Sequence, residues 1–245
     1  MIGVILAAGQ GTRMKALTAV RPKAMLPVAG LPVIARVVSQ LRAAGITDII
    51  VVVAAQDRHI RPYFEAHPSG RPPLQFVTQP VAGGMADALL YAAPHIQTPF
   101  ILTACDSLYP DDHYRRLAQT HAAGNSPATL TLMELPPEEI SRAGSVQLAR
   151  GRVMRIVEKP PPGHAPSNIA SLALYAFDTA LLEYLHRIER SSRGELELQD
   201  AIQLLITDQG GLPGLMTPWR WELTAPADLL DMKAYTYSRD GNGKG

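Results

Sequence analysis

A single cysteine, Cys105, stands among the 245 residues. It excludes an internal disulfide and any zinc site built on cysteine clusters. Net charge is almost absent, because 23 basic side chains face 22 acidic ones. A domain for nucleic acid would carry a clear basic excess, so no nucleic-acid partner is expected. Long apolar runs are missing too. Met1–Ala7 has no basic n-region and is too short for a signal segment or a membrane span. The expectation is a cytoplasmic protein with no membrane partner. Lysine is scarce: there are 18 Arg but only Lys15, Lys23, Lys159, Lys233 and Lys244. A chain that so regularly uses guanidinium gives each remaining ammonium a question to answer, since the two cations bind anions differently.

What is present suits a folded enzyme-sized unit. The chain is 47% hydrophobic, enough for a substantial core in one large domain or two small ones. No internal repeat and no long linker interrupts it, so residues 1–237 read as a single domain. Residues 238–245 are polar and Gly-rich and read as a flexible tail.

Hydrophobic patterning alternates strand and helix. Ile2–Ala7 and Asp48–Ala54 are short buried runs, and Pro32–Ala44 between them places Val33, Ile34, Val37, Val38 and Leu41 on one helical face. The alternation continues with helices near 58–67, 85–93 and 111–122 and strands near 74–78 and 100–104. This predicts an α/β fold, three layers α/β/α and Rossmann-like, around a mostly parallel sheet. After Gly124 four strand-like runs follow closely: 128–133, 145–149, 153–157 and 169–177. Ala149–Arg152 is a hairpin turn between the middle two, so an antiparallel excursion is expected. Helices near 179–188 and 197–208, a strand over 215–223 and a helix over 226–237 complete the prediction.

Ligands of open α/β sheets bind beyond the carboxyl ends of the strands. The first such loop, Ala7-Ala8-Gly9-Gln10-Gly11-Thr12-Arg13-Met14, can turn tightly and offer N–H groups to an anion. It is not a dinucleotide fingerprint, because Met14 stands where a third glycine is needed, and it lacks the Gly-Lys-Ser/Thr of a P-loop. Arg13 adds a guanidinium that matches phosphate oxygens in pairs. Lys23 follows Pro22, whose ring stiffens the segment that presents the ammonium.

Leu6–Met14, Leu17-Thr18, Pro22–Val28 and Gly30–Pro32 together resemble the sugar-1-phosphate nucleotidylyltransferases, the NDP-sugar pyrophosphorylases. The likeness runs along nearly the whole chain. It implies a nucleotidyltransferase fold, Mg²⁺ as cofactor, and transfer of a nucleotidyl group from an NTP, UTP or dTTP favoured, to a sugar 1-phosphate with loss of pyrophosphate. By resemblance, Leu6, Ala7, Ala8, Gly9, Gly11 and Thr12 contact the nucleotide and Arg13 and Lys23 act on its phosphates. Gln79 and Gly84 fall in the base-recognition segment, where an amide can satisfy both donor and acceptor on a base edge. Asp106, just past the strand at 100–104, falls on a metal-ligand position, and Glu222 stands where relatives usually carry the second, an Asp.

Gly144, Glu158, Lys159 and Asn168 match the acceptor-site segment. On a continuing strand, Glu158 and Lys159 point to opposite faces, so a shared site requires the strand to twist or end there. Arg193–Ile202 also resembles the family but reads only as a helix start rich in acids. Cys105 reads as a small buried residue. No hexapeptide-repeat extension is present, so one activity is expected.

Several readings stay open at this point. A cytidylyltransferase acting on phosphocholine or a phosphonate, an adenylyl donor, and a nucleotide-sugar sensor without turnover all fit these residues. A metal-dependent glycosyltransferase fits less well, because Ser107-Leu108 follows Asp106 where Asp-X-Asp is usual. The resemblance sets no oligomeric state, and a homo-oligomer remains open.

Overall fold

A computed structural model describes residues 1–9, 21–67, 73–225 and 227–228. In chain order the elements are β1 (Ile2–Leu6), a 3₁₀ turn at Lys23–Met25, β2 (Pro27–Val28), β3 (Leu31–Pro32), α1 (Val33–Ala43), β4 (Ile49–Ala54), α2 (Ile60–Ala66) and β5 (Gln75–Gln79). Then come α3 (Met85–Ala92), β6 (Phe100–Ala104), β7 (Ser107–Leu108), α4 (His113–Ala123), β8 (Ala128–Glu134), β9 (Gly144–Ala149) and β10 (Arg152–Glu158). The last are β11 (Ile169–Phe177), α5 (Leu181–Tyr184), α6 (Leu198–Gln209), β12 (Leu212–Met216) and β13 (Trp221–Glu222).

Nine strands form one sheet in the order β5-β4-β1-β6-β11-β8-β12-β10-β9. The first four are mutually parallel. β11 then runs antiparallel to both β6 and β8, β12 is parallel to β8, and β10 and β9 are antiparallel. The excursion expected from the sequence thus lies inside the main sheet. β9 and β10 join through Arg150 (φ 51) and Gly151 (φ 74), with Ala149 opposite Arg152. Two successive left-handed residues make the type I′ turn whose twist matches a hairpin.

Alternation along the buried strands divides the core into two faces. Ile5, Ile49, Val51 and Val53 pack with the apolar faces of α1, α2 and α4, while Val4, Leu6, Ile50 and Val52 pack with α3, α5 and α6. Each such side chain contributes about 1.5–3 kcal/mol on burial. These two clusters on one sheet are the three layers.

Two expected elements are altered, and the short strands β2, β3 and β7 are additional to the sequence expectation. The helix expected over 179–188 is cut to Leu181–Tyr184, because the chain turns away to form the Arg190–Leu196 bridge. The single strand expected over 215–223 is two. Thr217 Oγ1 donates to the Trp219 carbonyl at 2.9 Å, and Pro218 has no N–H for a ladder, so the chain leaves the main sheet after Met216. It then pairs anew as β13 with β7. The helix expected over 226–237 lies almost wholly outside the described residues.

β11 has β8 along one edge, with β6 on the other edge from Leu174 to Phe177 and β9 at Ala170–Ser171. This change of neighbour opens the sheet beside the carboxyl end of β6, and the candidate site lies there.

His113 is fully buried at the start of α4, with Nε2 3.0 Å from Thr131 Oγ1 and its ring stacked on Tyr109. Burial, then the Arg116 charge, lowers its pKa to about 4 from 6.5. The folded protein therefore refuses a proton that the unfolded chain accepts. The resulting stability is complete above about pH 6.5 and is lost as pH falls toward 4, in all on the order of 3 kcal/mol. Urea midpoints at pH 7.5 and 4.5 should show His113→Gln losing about 2 kcal/mol less than the wild type over this interval. Equal acid sensitivity in both proteins would contradict the assignment.

Candidate active site

Lys23 opens the 3₁₀ turn, which closes through Met25 N–H to the Pro22 carbonyl at 2.9 Å and is anchored by buried Ala24 and Leu26. This short, stiff segment aims the ammonium at Asp106, and the two form an ion pair. Asp106 also accepts from Ser107 Oγ at 3.3 Å. The N-cap position of α4 is filled by Asp112 rather than Asp106, as its place in the chain suggests.

The β7–β13 pair brings the far end of the chain to this point. Glu222 lies opposite Ser107 in register, and Leu223 N–H donates to the Asp106 carbonyl at 3.0 Å. Asp106 and Glu222, 116 positions apart in sequence numbering, are thus adjacent in the fold. Glu222 pairs with Arg220 at 2.9 Å. Asp228 caps the turn that follows, accepting from Thr224 N–H and Oγ1 at 2.7 Å and from Ala225 N–H at 2.6 Å. Burial disfavours its charge, but these bonds and the Lys23 ammonium outweigh it and hold the carboxyl below its usual pKa.

Beside them lies a cavity of about 440 Å³ whose walls include Gly144, Glu158, Lys159, Glu222 and Asp228. The question of opposite faces is resolved by where β10 stops. Its last residue is Glu158, and Lys159 adopts a left-handed backbone (φ 44) with its N–H bonded to the Ala143 carbonyl at 3.1 Å. That turn sends both side chains to one cavity, with Lys159 Nζ 3.3 Å from Glu158 Oε1. Such a backbone is uncommon and costly for a residue with a Cβ, and is found disproportionately at functional sites.

Other predicted residues fall elsewhere. Asn168 does not line the cavity; its Nδ2 donates to Glu134 Oε1 at 2.8 Å. Gln79 is buried at the end of β5, where Nε2 donates to Asp87 Oδ2 at 2.6 Å. Gly84 opens α3 next to it with φ 100. Leu6, Ala7 and Ala8 are buried side chains at the end of β1, and Gly9 is exposed. Gly11, Thr12 and Arg13 lie outside the described residues, as does Lys15. Cys105, read from the sequence as buried, is only half-buried as a residue, while burial of the thiol, then the Asp106 charge, pushes it up.

Sequence reasoning missed Glu197, Gln199, Arg142 and Arg220, which also line the cavity. Glu197 and Gln199 belong to the segment read as a mere helix start. Leu196 bonds Gly83 and Ala86 through its backbone, at 2.7 and 3.2 Å, and so draws this segment onto the site. The available signal was the segment's own family likeness.

Among the described residues no cluster of three or more His, Cys, Asp or Glu is present. The Asp106 and Glu222 pair instead suits an ion that takes one or two protein carboxylates and fills its shell with water and phosphate, as Mg²⁺ does. No helix among the described residues is long and apolar enough to cross a membrane.

Known proteins resemble this chain in sequence and in fold. Over 230 residues the chain is 30% identical to a UTP–glucose-1-phosphate uridylyltransferase, AglF, of Haloferax volcanii, with 93% of each chain covered. It is 27% identical to the bifunctional protein GlmU of Methanocaldococcus jannaschii, of whose length it spans 54%. A Bacillus anthracis structure described as a glucose-1-phosphate thymidylyltransferase in complex with a sucrose superposes with a TM-score of 0.84 at 26% identity, covering 96% of this chain and 94% of that one. The profile of the nucleotidyl transferase family matches from Ile2, where β1 begins, to Glu222 beside Asp106. By that match, which covers 2–222 and so nearly the whole chain, this chain belongs to the nucleotidyl transferase family and is a nucleotidyltransferase.

Proposed function

We propose that the protein transfers a nucleotidyl group from an NTP, UTP or dTTP favoured, to a sugar 1-phosphate, releasing pyrophosphate. The observation that carries this reading is the adjacency of Lys23, Asp106 and Glu222 to a cavity holding Glu158 and Lys159. An acceptor phosphate oxygen, already ionised, bonds to the α-phosphorus as the bridge to the β-phosphate breaks, and pyrophosphate carries away the electron pair. No proton has to be removed, so no side-chain base is needed. The protein's work is placement and charge neutralisation.

Lys23 neutralises the phosphates of the donor, and Lys159 holds the acceptor phosphate while Glu158 bonds its hydroxyls. Gly144 leaves space between them, and Gln79 and Gly84 border the base. The loop of Leu6, Ala7, Ala8, Gly9, Gly11 and Thr12, with Arg13, is assigned to the triphosphate. Asp106 and Glu222 would hold Mg²⁺, which supplies charge compensation at the donor phosphates. Asn168 is assigned to the sugar by resemblance alone, since it lies outside the cavity and bonds Glu134 there.

Pyrophosphate release measured over a matrix of NTPs against sugar 1-phosphates, phosphocholine and a phosphonate, with Mg²⁺, tests the reading. Turnover of UTP or dTTP with glucose 1-phosphate supports it. Exclusive turnover of CTP with phosphocholine or the phosphonate, an adenylyl donor only, or no turnover at all each overturns it in favour of a stated alternative. Within the active pair, Lys159→Ala should lower kcat/KM for the acceptor about 10–100-fold, the worth of one charged hydrogen bond, with little change in the KM for NTP. Unchanged acceptor kinetics would remove Lys159 from this role.

A further inference from the structure

The amide of Gln79 is held by one end, and the groups that hold it settle which end is left for a ligand. Gln79 ends β5 and is 4% exposed. Its Nε2 donates to Asp87 Oδ2 at 2.6 Å, and the Gly84 carbonyl oxygen lies 3.5 Å from the same nitrogen. A carboxylate and a carbonyl only accept, so the end that faces them has to be the NH₂. Turning the amide over would set its carbonyl against two acceptors, so the partners themselves assign the two ends. The end directed away from Asp87 is the carbonyl oxygen, Oε1.

Asp87 is itself fixed. Its other oxygen, Oδ1, lies 3.5 Å from Arg190 Nη2, and Arg190 Nη1 donates to the Gly194 carbonyl at 2.7 Å. Only 14% of the Asp87 side chain is exposed. Room for the carboxylate depends on Gly83, where a Cβ would come within 2.6 Å of Asp87 Cγ and 2.7 Å of Oδ2. An acid in the first turn of a helix ordinarily needs no role beyond favouring the helix dipole. Asp87 stands in the first turn of α3, yet each of its oxygens is engaged by a side chain from another part of the fold.

We propose that Asp87 is a positioning residue for base choice: it locks the Gln79 amide so that only a hydrogen-bond acceptor meets the pyrimidine, favouring uracil or thymine over cytosine. The proposal rests on the reading of Gln79 as a neighbour of the base. Uracil and thymine carry a donor N–H at N3, whereas cytosine has a lone pair there, which would meet Oε1 with no proton between them. An unrestrained glutamine amide turns over and serves either base. With Asp87 in place it serves one kind, because a site that bonds one polarity rejects the other.

The test measures kcat/KM for UTP and for CTP, each with glucose 1-phosphate, in the wild type, Asp87→Asn, Gly83→Ala and Gln79→Leu, with the thermal midpoint and the KM for glucose 1-phosphate alongside. The wild type should prefer UTP by about 100-fold or more. Asp87→Asn keeps the shape but can accept from the amide or donate to it, so the preference should shrink about 10-fold, through a gain with CTP as well as a loss with UTP. Gly83→Ala keeps the charge but displaces the carboxylate, and should shrink the preference in the same direction. Added to Gln79→Leu, Asp87→Asn should move the ratio by less than about 2-fold, because the contact it acts through is already gone. A helix-dipole role would lower the midpoint and leave the ratio alone. A ratio unchanged in both Asp87→Asn and Gly83→Ala therefore overturns the role of Asp87 and leaves the proposed reaction standing, as does a wild type that uses UTP and CTP equally. Should Asp87→Asn lose its cooperative thermal transition, Gly83→Ala decides the matter by the same ratio. A wild type that turns over CTP alone refutes the proposed reaction and the role of Asp87 together.

Discussion

Asp106→Asn is expected to lower kcat about 10³-fold while the protein keeps its fold. The substitution preserves shape and removes one negative charge from a point where three chain segments meet: the turn after β6, the 3₁₀ turn of Lys23, and β13 with Glu222. Two losses combine in it. The Lys23 ammonium loses the partner that orients it, and the cation site proposed above loses one of its two proposed carboxylates. Preorganised charges aimed at a reacting phosphate commonly contribute 10²–10³-fold each, and more where a metal ion is involved. The ion pair is only partly buried, with 13% and 15% of the two side chains exposed, so its loss should cost stability modestly. Steady-state kinetics at saturating Mg²⁺ and NTP, with the thermal midpoint as control, provide the measurement. A fall in kcat smaller than about 10-fold, in a protein of unchanged midpoint, would place the reacting phosphates elsewhere.

Gly84→Ala should instead damage the scaffold, with a loss of about 3–5 kcal/mol and a thermal midpoint lower by roughly 10 °C or more. Gly84 has φ 100 and ψ 176, a region that residues with a Cβ almost never occupy. The added Cβ would lie 2.5 Å from the Leu196 carbonyl oxygen, a backbone atom already accepting from Ala86 N–H at 3.2 Å. Relief of that clash means moving Leu196, and with it Glu197 and Gln199 in the cavity wall. Acceptor binding should therefore weaken in the same variant. Gly45→Ala is the control, since Gly45 has φ 84 with nothing within 4 Å of the added Cβ. It should cost only the backbone preference, about 1 kcal/mol. Equal midpoints for the two variants would show that contact with Leu196 carries no weight.

These two residues also mark how far the sequence could be read. Lys23 was legible because the chain so rarely chooses lysine and because Pro22 precedes it. Asp106 was legible because a buried apolar strand ends just before it. Gly84 was visible as part of a family segment, but nothing local announced that a backbone carbonyl 112 positions later would stand against it. Gln199 was hidden for the same reason. A helix start with acidic neighbours accounts for its surroundings fully until Leu196 is seen bonded to Gly83. The break at Pro218 was present in the sequence, yet the apolar run around it outweighed one proline.

The sequence by itself determined the layers, the order of strands and helices, and the kind of chemistry the loops can support. Those depend on periodicity, on turn residues and on short motifs, all of which act over a few positions. Only the tertiary structure decided which loops share a site. It paired β13 with β7 and so set Glu222 beside Asp106. It ended β10 at Glu158, with a left-handed Lys159, so that two side chains expected on opposite faces enter one cavity. It also set the Asp87 carboxylate against the Gln79 amide. The reason is physical: strand partners and buried polar satisfaction depend on which distant surfaces close against each other, and no local pattern encodes that.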